Sequence, residues 1–237
     1  MDPLVRLKQA RSEGLIPEKL YGRITERFGL AVSGIDRIER ASGLAFPAAY
    51  VEPSLVVTSP DPGSYEYGIL FARTIPVEAA GRMAVVVQVS APLLAFGLKG
   101  TIHAILAHEF LHYLELMWRV SRMGVLSDEV TGSLFESSYA DGERLLEPRA
   151  VFADRTLVDH ITRRFPAGFR DARLEEKAVS LWHRKGLPRT DVDLGSNTVR
   201  LSAESLSRMS LDPGLAGRLA ELAEKSGRIR ARARRLY

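Results

Sequence analysis

The chain contains no cysteine in 237 residues, so no disulfide supports its fold, as suits a reducing compartment. A long hydrophobic run is also missing. The longest apolar stretch, Met83 to Leu98, is broken by Gln88, Ser90, Pro92 and Gly97 and is too short to span a bilayer. The start, Met1-Asp2-Pro3, lacks the basic-then-apolar order of an export signal. These absences argue against a membrane protein and predict a cytoplasmic one. Lysine is scarce: six of the 33 basic residues are Lys and the other 27 are Arg, whose planar head binds carboxylates at two points. Neither an internal repeat nor a low-complexity linker is visible. A hydrophobic share of 46% with 26% charged residues is that of an ordinary globular chain, long enough to bury a proper core.

Against this plain background stands His108-Glu109-Phe110-Leu111-His112. Two His four apart on a helix lie one turn apart and point the same way, so they can share one tetrahedral Zn²⁺. Glu109, next to the first of them, can reach a water in the open fourth position, take its proton and later deliver it to a leaving amine. The pattern thus supplies two metal ligands, His108 and His112, and a catalytic base, Glu109. Its surroundings predict a helix. No Pro or Gly interrupts residues 101–123, Thr101 is a suitable N-cap and Gly124 a suitable stop. Apolar residues at 102, 105, 106, 110, 113, 114 and 117 keep the helical period, and His108, His112, Glu115 and Arg119 make a polar stripe along the rod. His103, five before His108, is about 140° around the helix and cannot share the metal.

In this segment the chain resembles the zincin metallopeptidases. The metzincin pattern requires a Gly three residues after the second His and another His three further on; Glu115 and Trp118 stand there instead. Peptide deformylases share the motif but use a Cys ligand, which this chain lacks. The resemblance therefore points to the gluzincins, including the small soluble minigluzincins, in which a Glu from a later helix completes the site. It implies a zinc-dependent peptidase acting on a peptide or protein substrate. The implied fold is α+β: a small mixed sheet, the active-site helix and a downstream ligand helix.

For the third ligand the resemblance favours Glu147, because Glu147-Pro-Arg-Ala150 looks like the E-x-x-A segment of several gluzincin families. Glu143 and Glu136 are the alternatives. Helical patterning is expected from Pro148 to about Arg164, with Ala150, Val151, Leu157, Val158 and Ile161 as its apolar stripe. Asp154, two turns from Glu147, is a candidate acceptor holding a ligand His ring. His160, His183 and Tyr139 are candidates for stabilising an oxyanion.

Three regions organise the chain, and they can form a single domain. Residues 1–50 look helical, with one run opening at Pro17 and a second short run holding Ile35, Ile38 and Leu44. Residues 51–170 carry the catalytic core, with strands expected at 54–58, 65–73 and 82–89, Thr74 to Gly81 separating the last two. Ala84–Val89 is the candidate strand beside the cleft, either at the sheet edge or buried at its centre. Residues 171–237 carry helices expected at 174–182, 202–209 and 213–226, a loop at 186–196 and the basic tail Gly227 to Tyr237, with five Arg. That tail opens a different function: a non-enzymatic, zincin-like protein binding nucleic acid or a protein partner. In minigluzincins a chain end can also lie in the cleft and keep the enzyme latent.

Overall fold

A computed structural model describes residues 2–59, 68–79, 82–122, 146–166, 169, 171–193 and 213–234. The fold is α+β. Helices α1 (Val5–Ser12) and α2 (Glu18–Ser42) lead into strands β1 (Ala48–Glu52), β2 (Leu55–Ser59), β3 (Gly68–Leu70), β4 (Ala72–Ala79) and β5 (Arg82–Ser90). Then come α3 (Ala91–Phe96), α4 (Lys99–Arg122), α5 (Pro148–Val151), α6 (Arg155–Arg164), α7 (Ala172–Leu181), a 3₁₀ turn at His183–Lys185, β6 (Arg189–Asp193) and α8 (Pro213–Arg234).

The strands form two small mixed sheets. In one, β5 lies between parallel β1 and antiparallel β4; in the other, β2 lies between antiparallel β3 and parallel β6. The segment 84–89 is thus the buried centre of its sheet, and Val85, Val87 and Val89 are buried. The outer strands are β1 and β4, and β4 from Thr74 onward was expected as a separator. Pro76 lies within it, as an outer strand tolerates. The Phe71 carbonyl accepts from the Ser90 N–H at 2.9 Å, and strand alternation then turns the backbone of Ala72 and Pro76 away from β5. Pro76 therefore costs the ladder no hydrogen bond.

Helix α4 is the axis of the molecule. From Thr101 to Met117 every side chain except Tyr113 is buried. It packs against α2, α6, α8 and β4. On α2, Ile24, Ala31, Gly34 and Ile38 are buried at helical spacing. Gly34 sits where the two helices press closest: a Cβ there would lie 2.9 Å from His103 Cδ2 and 3.1 Å from Leu106 Cδ1. The two runs expected before residue 50 are this one 25-residue helix, ended by Gly43 in the left-handed conformation.

Three further expectations change. The helix expected from Pro148 to Arg164 is broken. Phe152 is extended, the Ala153 N–H donates to the Ala41 carbonyl at 2.8 Å, and Asp154 caps a fresh helix by accepting from the Leu157 N–H at 2.9 Å. Part of the loop expected at 186–196 is strand β6, paired with β2. The last helix runs on through the basic segment to Arg234. One hydrophobic cluster, from Leu7 to Leu222, draws on all three regions of the sequence. The helix expected at 202–209 lies outside the described residues. Among those described, no helix is long and apolar enough to cross a membrane.

Candidate metal centre

Helical geometry brings His108 and His112 together as their spacing requires. The two Nε2 atoms are 2.9 Å apart, with the rings near perpendicular at 89°. Two nitrogens bound to one zinc at about 2.0–2.1 Å in a tetrahedron lie about 3.3 Å apart, so the pair stands within a few tenths of an ångström of that requirement. Phe165, which closes α6, stacks flat on His108 with centroids 3.8 Å apart and planes 6° apart. This stacking fixes the plane of the ring.

Glu109 is held from the sheet. The Thr74 hydroxyl on β4 lies 3.0 Å from Glu109 Oε2 and 2.9 Å from the Glu109 backbone carbonyl. That contact ties the edge strand to the motif helix and restricts the carboxylate to one orientation. Glu115, on the same stripe, serves the fold: its Oε1 accepts from the Leu146 N–H at 3.1 Å.

The three motif side chains are nearly enclosed, at 5%, 6% and 8% exposure, yet they line a cavity of about 430 Å³. Ala72 and Arg73 border it on the strand side, and Phe165, Phe169, Glu175 and Val179 on the helix side. Phe169 packs edge-on against Phe71 at 5.3 Å and lies 5.4 Å from Phe165, giving an apolar wall. Buried imidazoles and a carboxylate facing a cavity, rather than sealed core, have room for an ion and a reacting group.

The other sequence candidates fall elsewhere. Glu147 caps α5 with its N–H donated to Ser226 Oγ at 2.9 Å, and it does not line the cavity. Glu136, Glu143 and Tyr139 lie outside the described residues. Among the described residues no third His, Asp or Glu closes on the two imidazoles to form a metal-binding group. Asp154 does not support a ligand ring. Its two oxygens accept from Arg37 at 2.6 and 3.0 Å, and the guanidinium holds its carboxyl below the usual range. His160 packs near Gly100 and His183 sits on the exposed 3₁₀ turn, both away from the cavity. His103 turns Nε2 to the Leu30 carbonyl and Ser33 hydroxyl, at 3.2 and 3.3 Å. Thr101 is inside α4 rather than at its cap, its hydroxyl donating to Asp171 at 3.0 Å.

Thr74, Phe165 and Glu175 are the site residues that sequence reasoning passed over. Thr74 sat in a stretch expected to be a turn, and Pro76 masked the strand. Phe165 and Glu175 carry no motif. Their place depends on how α6 and α7 return to α4.

The donors fit zinc in kind: two converging imidazoles beside a carboxylate, with a second carboxylate, Glu175, on the same cavity wall. No protein-family model, curated protein or solved structure matches this chain.

Proposed function

We propose that the chain is a zinc-dependent metallopeptidase of the zincin type, hydrolysing peptide bonds in a cytoplasmic setting. The observation that carries this reading is the 2.9 Å approach of the two Nε2 atoms, beside Glu109, on the floor of a cavity. A buried helix with no chemistry to perform gains nothing from three ionisable side chains turned to one hollow.

His108 and His112 are two of the residues that would hold the ion. When bound, zinc supplies Lewis acidity toward a carbonyl oxygen and makes water more acidic. Glu109 takes the proton from the attacking water and hands it to the departing amine nitrogen. Thr74 keeps the Glu109 carboxylate facing the reaction. The outer strand β4 starts at the cavity, which Ala72 and Arg73 line, so an extended peptide can add alongside its edge there. Phe165, Phe169 and Val179 offer an apolar side chain a place to settle, while enclosure of the site keeps bulk water out. By resemblance the third protein donor is Glu147, Glu143 or Glu136; of the described acids, Glu147 stands off the cavity and Glu175 lines it without closing on the imidazoles, so either would have to approach on binding.

Zinc content and cleavage of a peptide library test the reading together. The purified protein should carry about one equivalent of zinc and cleave in a chelator-sensitive way. Glu109→Gln should keep the metal and lose hydrolysis by about 10³-fold or more. A Gln protein that cleaves as fast as the parent would overturn the scheme. Zinc titration of the Gln variants at 136, 143, 147 and 175 identifies the third donor, which is the acid whose loss weakens binding most.

A further inference from the structure

Away from the cavity, two hollows meet across one saddle. The first, about 500 Å³, is walled by Arg149, Arg155, Arg218 and Lys225. The second, about 590 Å³, is walled by Arg37, Arg40 and Lys99. Ala41 and Ala153 belong to both, and the backbone hydrogen bond between them, at 2.8 Å, forms the ridge. Seven basic side chains stand against two carboxylates, Asp154 and Asp159: an excess of five on one face of a chain whose whole net charge is +4.

Some of that charge is already used. Arg37 is paired with Asp154, Arg218 with Glu221 at 2.8 Å, and Lys225 donates to the Ala150 carbonyl. Arg40, Lys99, Arg149 and Arg155 are exposed, and among the described residues no carboxylate pairs with them. Holding four like charges along one groove costs Coulomb energy, which a polyanion reverses.

We propose that this groove binds the phosphate backbone of a single-stranded nucleic acid, without base specificity. A single strand is flexible enough to follow both hollows across the ridge, whereas a duplex, stiff over about 150 bp, does not bend into them. The aromatic residue in the lining, Phe152, is 4% exposed and offers no stacking face, so recognition rests on charge. This assignment does not depend on the metallopeptidase reading, since the groove and the metal cavity have no lining residue in common.

The test is fluorescence anisotropy with a labelled oligothymidylate of about 20 nucleotides, against a duplex of equal length, over a salt series. The full-length protein should bind the single strand at about 50 mM salt, with log K falling against log salt at a slope near −3, about −0.7 for each of four neutralised phosphates. Arg149→Gln/Arg155→Gln should weaken binding at least tenfold and reduce the slope by about 1.4. Arg40→Gln/Lys99→Gln should do the same. The matched variant Arg228→Gln/Arg232→Gln, in the basic last turns of α8, should bind like the parent. These positions are exposed and the substitutions neutral, and unchanged thermal melts show that each variant is folded. Three results would overturn the proposal: no binding at low salt, equal binding by the groove variants, or duplex binding as tight as single-strand binding.

Discussion

The chemistry proposed for Glu109 would draw on a hydroxyl contributed from 35 residues earlier in the chain. A carboxylate on a helix samples several rotamers, and a base that must meet one water gains from losing that freedom. Thr74 is buried at 4% exposure and bridges the side chain and backbone of the same Glu. Thr74→Val preserves the shape and removes the hydroxyl. Its expected effect is a ten- to hundredfold fall in kcat with zinc content unchanged, as for a positioning residue. Equal loss of zinc and activity would instead mean that the substitution had disturbed the metal ligands. Phe165 does comparable work on the other side, where its stacked ring holds His108 in plane.

Among the elements, the break between α5 and α6 has the clearest physical cause. Hydrophobic periodicity alone runs through it. Asp154 stops the helix because its carboxylate serves better outside: it caps the Leu157 N–H and grips Arg37 on α2, locking α6 onto α2. Arg37 holds the Asp154 carboxyl below its ordinary value of 3.8. The unfolded chain therefore takes up this proton at a higher pH than the native one does. The pair's contribution is fully present above about pH 4 and disappears as the pH falls through the lowered native value. With both side chains partly exposed, at 24% and 29%, the contribution is about 1 kcal/mol at neutral pH. Urea unfolding should show Arg37→Leu less stable than the parent by about that amount at pH 7, with the gap narrowing below about pH 4. A gap of constant size down to pH 3 would assign the effect to packing instead.

For the molecule as a whole, the proposed metal site and the core share one support. Helix α4 supplies both imidazoles and much of the buried cluster, so an ion bound by the native state alone stabilises the entire fold. Zinc at about 100 times its Kd should add about 2.7 kcal/mol, raising Tm by about 5–10 °C for a domain of this size. His108→Ala should abolish that shift. An unchanged Tm in the parent protein on adding zinc would contradict the site.

Local chemistry settles much of this protein. His108, Glu109 and His112 meet because 3.6 residues per turn leaves no other arrangement, and the same periodicity forecast α4, α7 and the start of α8. Their burial in a central helix follows from the apolar residues between them. Other features depend on partners distant in the chain. Strand β4 forms through Pro76 because β5 offers it a ladder on one side alone, and β6 forms because β2 has an edge to fill. Asp154 answers to Arg37, 117 positions away, rather than to a metal ligand. Thr74 meets Glu109, Glu175 reaches the cavity, and the basic residues of α2, α4, α5, α6 and α8 assemble a groove, only once the chain has packed. A sequence states what each residue can do within a turn or two of its neighbours. Which remote side chain meets it is decided by how helices and sheets close around a shared core.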